Sequence, residues 1–139
     1  MTVKAKGLDH VAIAVKDLDK AIAFYQQAFG LELAEIEVVE DQKVRTAIFG
    51  HGLGRIELIC PTEEGTSVAK FLEKRGEGLH HICIEVEDIE ASLAELKAQG
   101  APLIDQVPRI GAGGAKIAFI HPRGTHGVLT ELRQGPTKS

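Results

Sequence analysis

Tryptophan is absent from the 139-residue chain, aromatic residues make up only 4% of it, and there are just two cysteines. So few aromatic side chains argue against an aromatic-lined binding cavity. Cys60 and Cys83 both lie inside apolar runs, which is typical of buried thiols in a reducing compartment rather than of a disulfide or a nucleophile. No apolar run approaches the roughly 18 residues that span a bilayer, so we expect no membrane partner.

The charges are balanced and dispersed along the chain. The net charge is −4 and the basic residues form no cluster, which argues against nucleic acid as a partner. Residues 1–7 contain no apolar segment of the kind found in secretory signals. We therefore expect a cytoplasmic protein, or a protein of an organelle matrix if a transit peptide has been removed. A hydrophobic fraction of 44% indicates a real core, in one domain or two very small ones.

One stretch of the sequence occurs twice. Residues 7–17 align without a gap to residues 78–88, and each copy places a histidine at the start of a strand pattern. The residues shared at matching positions are Gly7/Gly78, Leu8/Leu79, His10/His81, Ile13/Ile84, Val15/Val86 and Asp17/Asp88. The chain is therefore predicted to consist of two copies of one unit.

Hydrophobic periodicity predicts the same order of elements in both copies, strand–helix–strand–strand–strand. Asp17 is predicted to cap a helix over 18–29 that ends at Gly30, and Asp88 to cap a helix that runs to about Gln99. The other predicted elements are strands over 8–15, 31–39, 43–49, 55–60, 79–86, 115–121 and 127–132, a helix over 66–75, an irregular strand over 102–109, a loop over 111–114 and a fraying tail over 135–139. We predict the fold class α+β, with two tandem βαβββ modules in a single domain over 7–134: module 1 over about 7–61, a linker helix over about 62–77, and module 2 over about 78–134.

Each predicted unit ends in a strand that carries a glutamate among apolar neighbours, Glu57 in the first and Glu131 in the second. A buried, unpaired carboxylate costs several kcal/mol, so each glutamate lies at the surface or has a partner. The two glutamates follow their histidines, His10 and His81, at similar separations. If an approximate two-fold relates the units, all four side chains meet at one point.

Two imidazoles and two carboxylates suit a divalent cation, because the two negative charges balance the ion. The mixed nitrogen and oxygen set favours Zn, Co, Ni, Mn or Fe over Ca or Mg. Four protein ligands on an octahedral ion leave two adjacent positions for a chelating substrate. Taken singly, each histidine is compatible with a structural role and Glu57 with an exposed strand edge; the repetition of the set favours metal. We predict that the other histidines, His51, His80, His121 and His126, are not ligands.

These motifs resemble the vicinal-oxygen-chelate superfamily and, within it, most closely the methylmalonyl-CoA epimerase family. The segments that carry the resemblance are 8–12 (LDHVA), 56–61 (IELICP), 78–82 (GLHHI), 111–114 (GAGG), 119–122 (FIHP) and 127–132 (GVLTEL). The resemblance implies a cupped mixed sheet around a metal site whose ligands are His10, Glu57, His81 and Glu131. It also implies that Glu131 is catalytic, as a proton carrier.

The resemblance leaves the second proton carrier open. Some members of the family carry a further glutamate on the second strand of the first unit, where this chain has Arg45 or Thr46. Glu37, Glu40 or a metal-bound water are the candidates to replace it.

The activity that the resemblance implies is metal-dependent epimerisation of (2R)- and (2S)-methylmalonyl-CoA, as in propionate metabolism. The α-proton is abstracted and returned through a metal-stabilised enolate. We expect Co²⁺, with Mn²⁺, Ni²⁺ or Zn²⁺ as alternatives, an acyl-CoA substrate, and a homodimer. The competing interpretations are a glyoxalase I-type lactoylglutathione lyase, which uses the same ligand types, and a non-catalytic small-molecule binding module of the same fold. An extradiol dioxygenase site of two histidines and one carboxylate would be crowded by Glu57.

Overall fold

The computed structural model describes residues 3–136. In chain order the elements are β1 (Ala5–Ala14), α1 (Leu18–Phe29), β2 (Leu33–Val39), β3 (Val44–Phe49), β4 (Arg55–Pro61), α2 (Ser67–Arg75), β5 (Gly78–Val86), α3 (Ile89–Ala98), β6 (Arg109–Ile110), β7 (Lys116–Ile120) and β8 (Thr130–Gln134). Two compact units result: residues 10–80 form the first unit, and residue 81 onward, together with the residues up to 9, forms the second unit.

In the first unit the strands lie in the order β2-β3-β4-β1. β1 runs parallel to β4, while β2, β3 and β4 are antiparallel to their neighbours. Helix α1 closes the apolar side of this sheet. The buried residues of that core are Val15, Leu18, Ile22, Ala47, Phe49 and Leu58.

The second unit has the order β5-β8-β7-β6. β5 runs parallel to β8, and β8, β7 and β6 are antiparallel in turn. Its core packs α3 against the sheet through Val86, Ile89, Leu93, Ala118, Ile120 and Leu132. The two units therefore share one connectivity, and the predicted tandem βαβββ architecture is confirmed. Helix α2, predicted as a linker, belongs to the first unit; the single domain over 7–134 stays a prediction.

The helix boundaries follow the capping residues that the sequence predicts. The Asp17 carboxylate accepts a hydrogen bond from the Lys20 N–H at 3.1 Å, and α1 ends at Gly30, whose φ of +66° is open to glycine at little cost. The Asp88 carboxylate caps α3 in the same way, accepting from the Ala91 N–H at 3.1 Å. Among residues 3–136 no helix is long and apolar enough to cross a membrane.

The predicted strand over 102–109 is wrong for most of its length. Only Arg109 belongs to a strand, the two-residue β6, and Leu103 forms an isolated bridge with Ile120. Pro102 and Pro108 have no N–H to donate to a ladder, which prevents continuous pairing. The segment instead runs beside β7 and hydrogen-bonds to it at scattered points.

The last predicted strand begins later than expected, at Thr130 rather than Gly127. The Gly127 N–H donates to the Pro122 carbonyl at 2.8 Å and the Val128 N–H to the Thr125 carbonyl at 3.3 Å. Those bonds hold residues 122–128 in turns, so the hairpin loop is longer than predicted. The predicted loop over 111–114 contains a single 3₁₀ turn, Ala112–Gly114. Of the tail predicted to fray, residues 137–139 lie outside the described residues.

Candidate metal centre

The first unit brings His10 and Glu57 together. Because β1 and β4 are parallel, with Ala12 opposite Glu57, a histidine two residues before Ala12 points to the same side of the sheet as the glutamate. His10 Nε2 lies 3.7 Å from Glu57 Oε2. Both residues are buried, with 5% and 6% of their surfaces exposed. Ala12 and Ala14 share that side and are fully buried, so small side chains surround the pair along β1.

The second unit brings His81 and Glu131 together through the same kind of parallel strand pairing. β5 and β8 are parallel, and Cys83, two residues after the histidine, is opposite Glu131. His81 Nε2 lies 3.2 Å from Glu131 Oε1, and both residues are about as buried as the first pair, 4% and 5% exposed.

The two pairs occupy equivalent places in their units. In each, the glutamate is the register partner of the residue two positions after the histidine, Ala12 in one unit and Cys83 in the other. The repeat seen in the sequence therefore extends to the register of the parallel strands. The parallel pairing of β1 with β4 and of β5 with β8, and not the separation in the sequence, places each glutamate beside its histidine.

Ligand geometry provides a test of whether these residues suit a metal. Two atoms each about 2.1 Å from one ion, and separated by the angles of tetrahedral or octahedral sites, lie roughly 3.0–3.4 Å apart. The His81–Glu131 separation of 3.2 Å lies within that range and the His10–Glu57 separation of 3.7 Å slightly beyond it. Imidazole nitrogen and carboxylate oxygen also match the preferences of divalent transition metals. The second pair therefore fits such an ion in both distance and ligand type, and the first pair fits it in ligand type.

The other histidines have different surroundings. His51, His121 and His126 are exposed. The His80 ring meets the Phe71 ring at 4.8 Å between centroids, on the strand face opposite that of His81. The prediction that these four are not ligands stays a prediction.

The two residues considered for the position of a second proton carrier point to opposite faces of β3. Thr46 is opposite Ile59, two residues from Glu57, and so lies on the face that carries Glu57. Its hydroxyl donates to the Glu37 carbonyl at 3.3 Å. Arg45 lies on the other face, where it forms a 3.5 Å ion pair with Asp19. Threonine therefore occupies the site-facing position, and it does not titrate in the physiological range.

A partly buried charge cluster beside the second pair was not predicted from the sequence. Arg133, two residues after Glu131, lies 2.7 Å from Glu85 and 3.6 Å from Asp9. Burial alone would lower the pKa of Arg133, but the hydrogen bond to Glu85 and the charges of Asp9 and Glu85 raise it, so the guanidinium stays charged. The sequence did contain a signal for this cluster. Glu85 lies on the same face of the alternating strand pattern as His81, and Arg133 lies on the same face of the last strand as Glu131.

The protein belongs to the glyoxalase/bleomycin resistance protein/dioxygenase superfamily, whose family model matches residues 9–119. That match confirms the resemblance to the vicinal-oxygen-chelate proteins, and with it the fold class.

Individual relatives narrow the resemblance further. The chain is 47% identical over 125 residues to the uncharacterized protein YqjC of Bacillus subtilis (strain 168), covering 90% of this chain and 89% of that one. It is 43% identical to the ethylmalonyl-CoA/methylmalonyl-CoA epimerase of Cereibacter sphaeroides, covering 91% of this chain and 96% of the relative. A solved methylmalonyl-CoA epimerase in complex with methylmalonyl-CoA and NH₄⁺ superposes with a TM-score of 0.93 at 37% identity, covering 96% and 97% of the two chains. The relatives and structural neighbours thus include methylmalonyl-CoA epimerases, a class of isomerase, as the sequence predicts.

Proposed function

We propose that this protein is a metal-dependent epimerase that interconverts (2R)- and (2S)-methylmalonyl-CoA. The observation that carries the proposal is the pair of buried His–Glu couples at equivalent registers, in a chain similar over nine-tenths of its length to an epimerase of this substrate class. We propose that His10, Glu57, His81 and Glu131 serve one ion, as the family resemblance implies. Co²⁺ is the expected metal, with Mn²⁺, Ni²⁺ or Zn²⁺ as alternatives.

The chemistry to be catalysed is removal and return of one proton at the carbon between a thioester and a carboxylate. A bound divalent ion would supply positive charge against the negative charge that develops as the proton leaves. Glu131 is proposed to carry the proton, and positioned acid–base groups typically contribute about 10²- to 10⁴-fold. Its burial excludes bulk water and strengthens its electrostatic interactions with the substrate.

Reprotonation on the opposite face requires a second proton carrier. Glu37 is opposite Thr46, and therefore on the face that also carries Glu57. It is partly buried, whereas Glu40 is exposed in the turn after β2. We propose Glu37 as that carrier ahead of Glu40.

The substrate and the assembly follow from the same resemblance. An acyl-CoA is the proposed ligand and a homodimer the proposed assembly. A reducing compartment, cytosol or organelle matrix, is proposed because Cys60 and Cys83 are both free thiols and Cys83 is fully buried.

The test is proton exchange in D₂O. Metal-loaded protein is incubated with (2S)-methylmalonyl-CoA, and the α-proton and the epimer ratio are followed by NMR. We expect deuterium incorporation with equilibration of the epimers, lost after EDTA treatment and restored by Co²⁺. If metal is bound but no exchange occurs, the proposal is rejected. The next substrate to test is then the methylglyoxal–glutathione adduct, the substrate of a lactoylglutathione lyase. If the protein neither binds metal nor exchanges the proton, a non-catalytic binding module is the best interpretation.

A further inference from the structure

The second unit holds an aromatic residue against the His81–Glu131 pair. The Phe119 ring meets the His81 ring edge to face, with 5.4 Å between centroids and 86° between planes. Phe119 is also the register partner of Glu131 across β7 and β8, and it is buried. One ring therefore borders both members of the pair.

The backbone of Phe119 is bonded to the irregular segment over 102–110 and not to β8. Its N–H donates to the Asp105 carboxylate at 2.9 Å. Its carbonyl accepts from the Ile104 N–H at 2.9 Å and from the Asp105 N–H at 3.2 Å. Since these polar groups point away from β8, Phe119 and Glu131 form a non-hydrogen-bonded pair, the kind that brings opposed side chains closest, with Cα atoms about 4.5 Å apart.

The same carboxylate also positions a guanidinium over the ring. Asp105 binds Arg109 through Nε at 3.1 Å and through Nη2 at 3.4 Å. The Arg109 guanidinium lies 6.0 Å from the Phe119 ring centroid, at the outer limit of a cation–π contact. Asp105 thus fixes both the backbone of Phe119 and the cation that covers its ring.

The first unit is built differently at the equivalent place. There Ile48 is the register partner of Glu57, so an aliphatic side chain stands where the second unit has Phe119. The His–Glu separation is also longer in the first unit, 3.7 Å against 3.2 Å. An aromatic ring at this position is therefore a feature of the second unit.

We propose that Asp105 and Arg109 are positioning residues that act through Phe119 to fix the orientation of the His81 ring for metal binding. The inference rests on the proposed metal site. Groups that only orient a metal ligand are worth about 10- to 100-fold in metal affinity, and an imidazole ring that turns freely about its bonds must lose that freedom on binding. The irregular segment over 102–110 then supports a metal ligand. We call the arrangement of Asp105, Arg109 and Phe119 the brace.

The test compares Phe119→Leu, Phe119→Tyr and Asp105→Ala with the unaltered protein. Co²⁺ affinity is measured by titration, and the visible absorption spectrum of the bound Co²⁺ is recorded. We expect Phe119→Leu and Asp105→Ala to weaken Co²⁺ binding about 10-fold or more and to change the spectrum. Phe119→Tyr, which keeps the ring, should bind Co²⁺ nearly as the unaltered protein does. The matched control is Glu90→Gln, which removes an exposed 2.8 Å ion pair with Lys116 in the same unit.

A second measurement needs no metal. In the metal-free protein, Asp105→Ala should shift and broaden the ¹H–¹³C NMR signals of the His81 ring, because Asp105 is linked to His81 through Phe119. Glu90→Gln should leave them in place. If Asp105→Ala does not fold, Phe119→Leu against Phe119→Tyr carries the test.

Two results would overturn the inference. Folded Phe119→Leu protein with unchanged Co²⁺ affinity and spectrum would reject the brace while leaving the proposed function intact. Failure of the unaltered protein to bind Co²⁺, Mn²⁺, Ni²⁺ or Zn²⁺ would reject both the metal site and the brace.

Discussion

Glu85 and Arg133 face each other in register across the parallel strands β5 and β8, and their side chains form an ion pair of 2.7 Å. The equivalent partners in the first unit are Ala14 and Ile59. One half of the repeat therefore has an apolar pair where the other has a partly buried charge pair, to which Asp9 adds a second carboxylate at 3.6 Å.

Removing the arginine should be strongly destabilising. Arg133→Met leaves the buried Asp9 and the partly buried Glu85 without their cation, a change that we expect to cost about 3 kcal/mol, the low end of the range for fully buried pairs. The free energy of unfolding, measured by urea denaturation of the metal-free protein, should fall by about that amount. Glu85→Gln combined with Arg133→Met should recover part of the loss, because it removes one of the stranded charges. A single Arg133→Met variant as stable as the unaltered protein would show that the cluster contributes nothing.

Loss of either member of the second pair should abolish catalysis. Glu131→Gln keeps the shape of the side chain but cannot carry the proton, and His81→Ala removes a proposed ligand. Both variants should lose turnover in the D₂O exchange assay and should bind Co²⁺ more weakly by isothermal titration. His51→Ala, which alters an exposed histidine, is the control. Full activity in either site variant after the metal has been stripped would contradict the proposed mechanism.

The two glutamates among the candidates for the second proton carrier can be separated by matched substitutions. Glu37→Gln should lower the epimerisation rate by about 10²-fold or more if Glu37 returns the proton. Glu40→Gln, in the exposed turn after β2, should leave the rate within about twofold. Steady-state rates measured in both directions, (2R) to (2S) and the reverse, provide the comparison. Equal rates in the two variants would assign the second proton to neither glutamate.

Cys60 should react slowly with alkylating reagents. Burial raises the pKa of its thiol above the usual value, outweighing the lowering by a backbone hydrogen bond. Because the folded-state pKa is the higher one, the thiol's contribution to stability is complete below about pH 8.5 and is lost as the pH rises through the folded pKa. Iodoacetamide modification, followed by mass spectrometry from pH 7 to 10, should give an apparent pKa above that of a free cysteine. Cys60→Ser provides the background, since Cys83 is fully buried; an ordinary pKa for Cys60 would contradict the prediction.

Local sequence signals determined most of the elements of this fold. Helix α1 begins after Asp17 and ends before Gly30, as predicted. A side-chain cap and a left-handed glycine affect only the neighbouring few residues, so they can be recognised from the local sequence. The internal repeat likewise predicted two units of one connectivity, since similar segments fold alike. It also indicated His10, His81, Glu57 and Glu131, whose burial inside apolar strands is a matter of alternation along each strand.

Only the tertiary structure decided what surrounds those four residues. Parallel pairing of distant strands sets which residue is opposite each glutamate, and neither periodicity nor spacing in the sequence reports a register between residues 45 or more positions apart. The brace formed by Asp105 and Arg109 on Phe119 depends on a segment whose prolines prevent regular pairing, so no period in the sequence predicts its path. The Glu85–Arg133 pair arises in the same way, from two side chains that are remote in the chain and adjacent only because β5 and β8 run side by side. The sequence thus determined the chemistry of the candidate ligands, while long-range strand pairing decided which of them meet and what fixes their orientation.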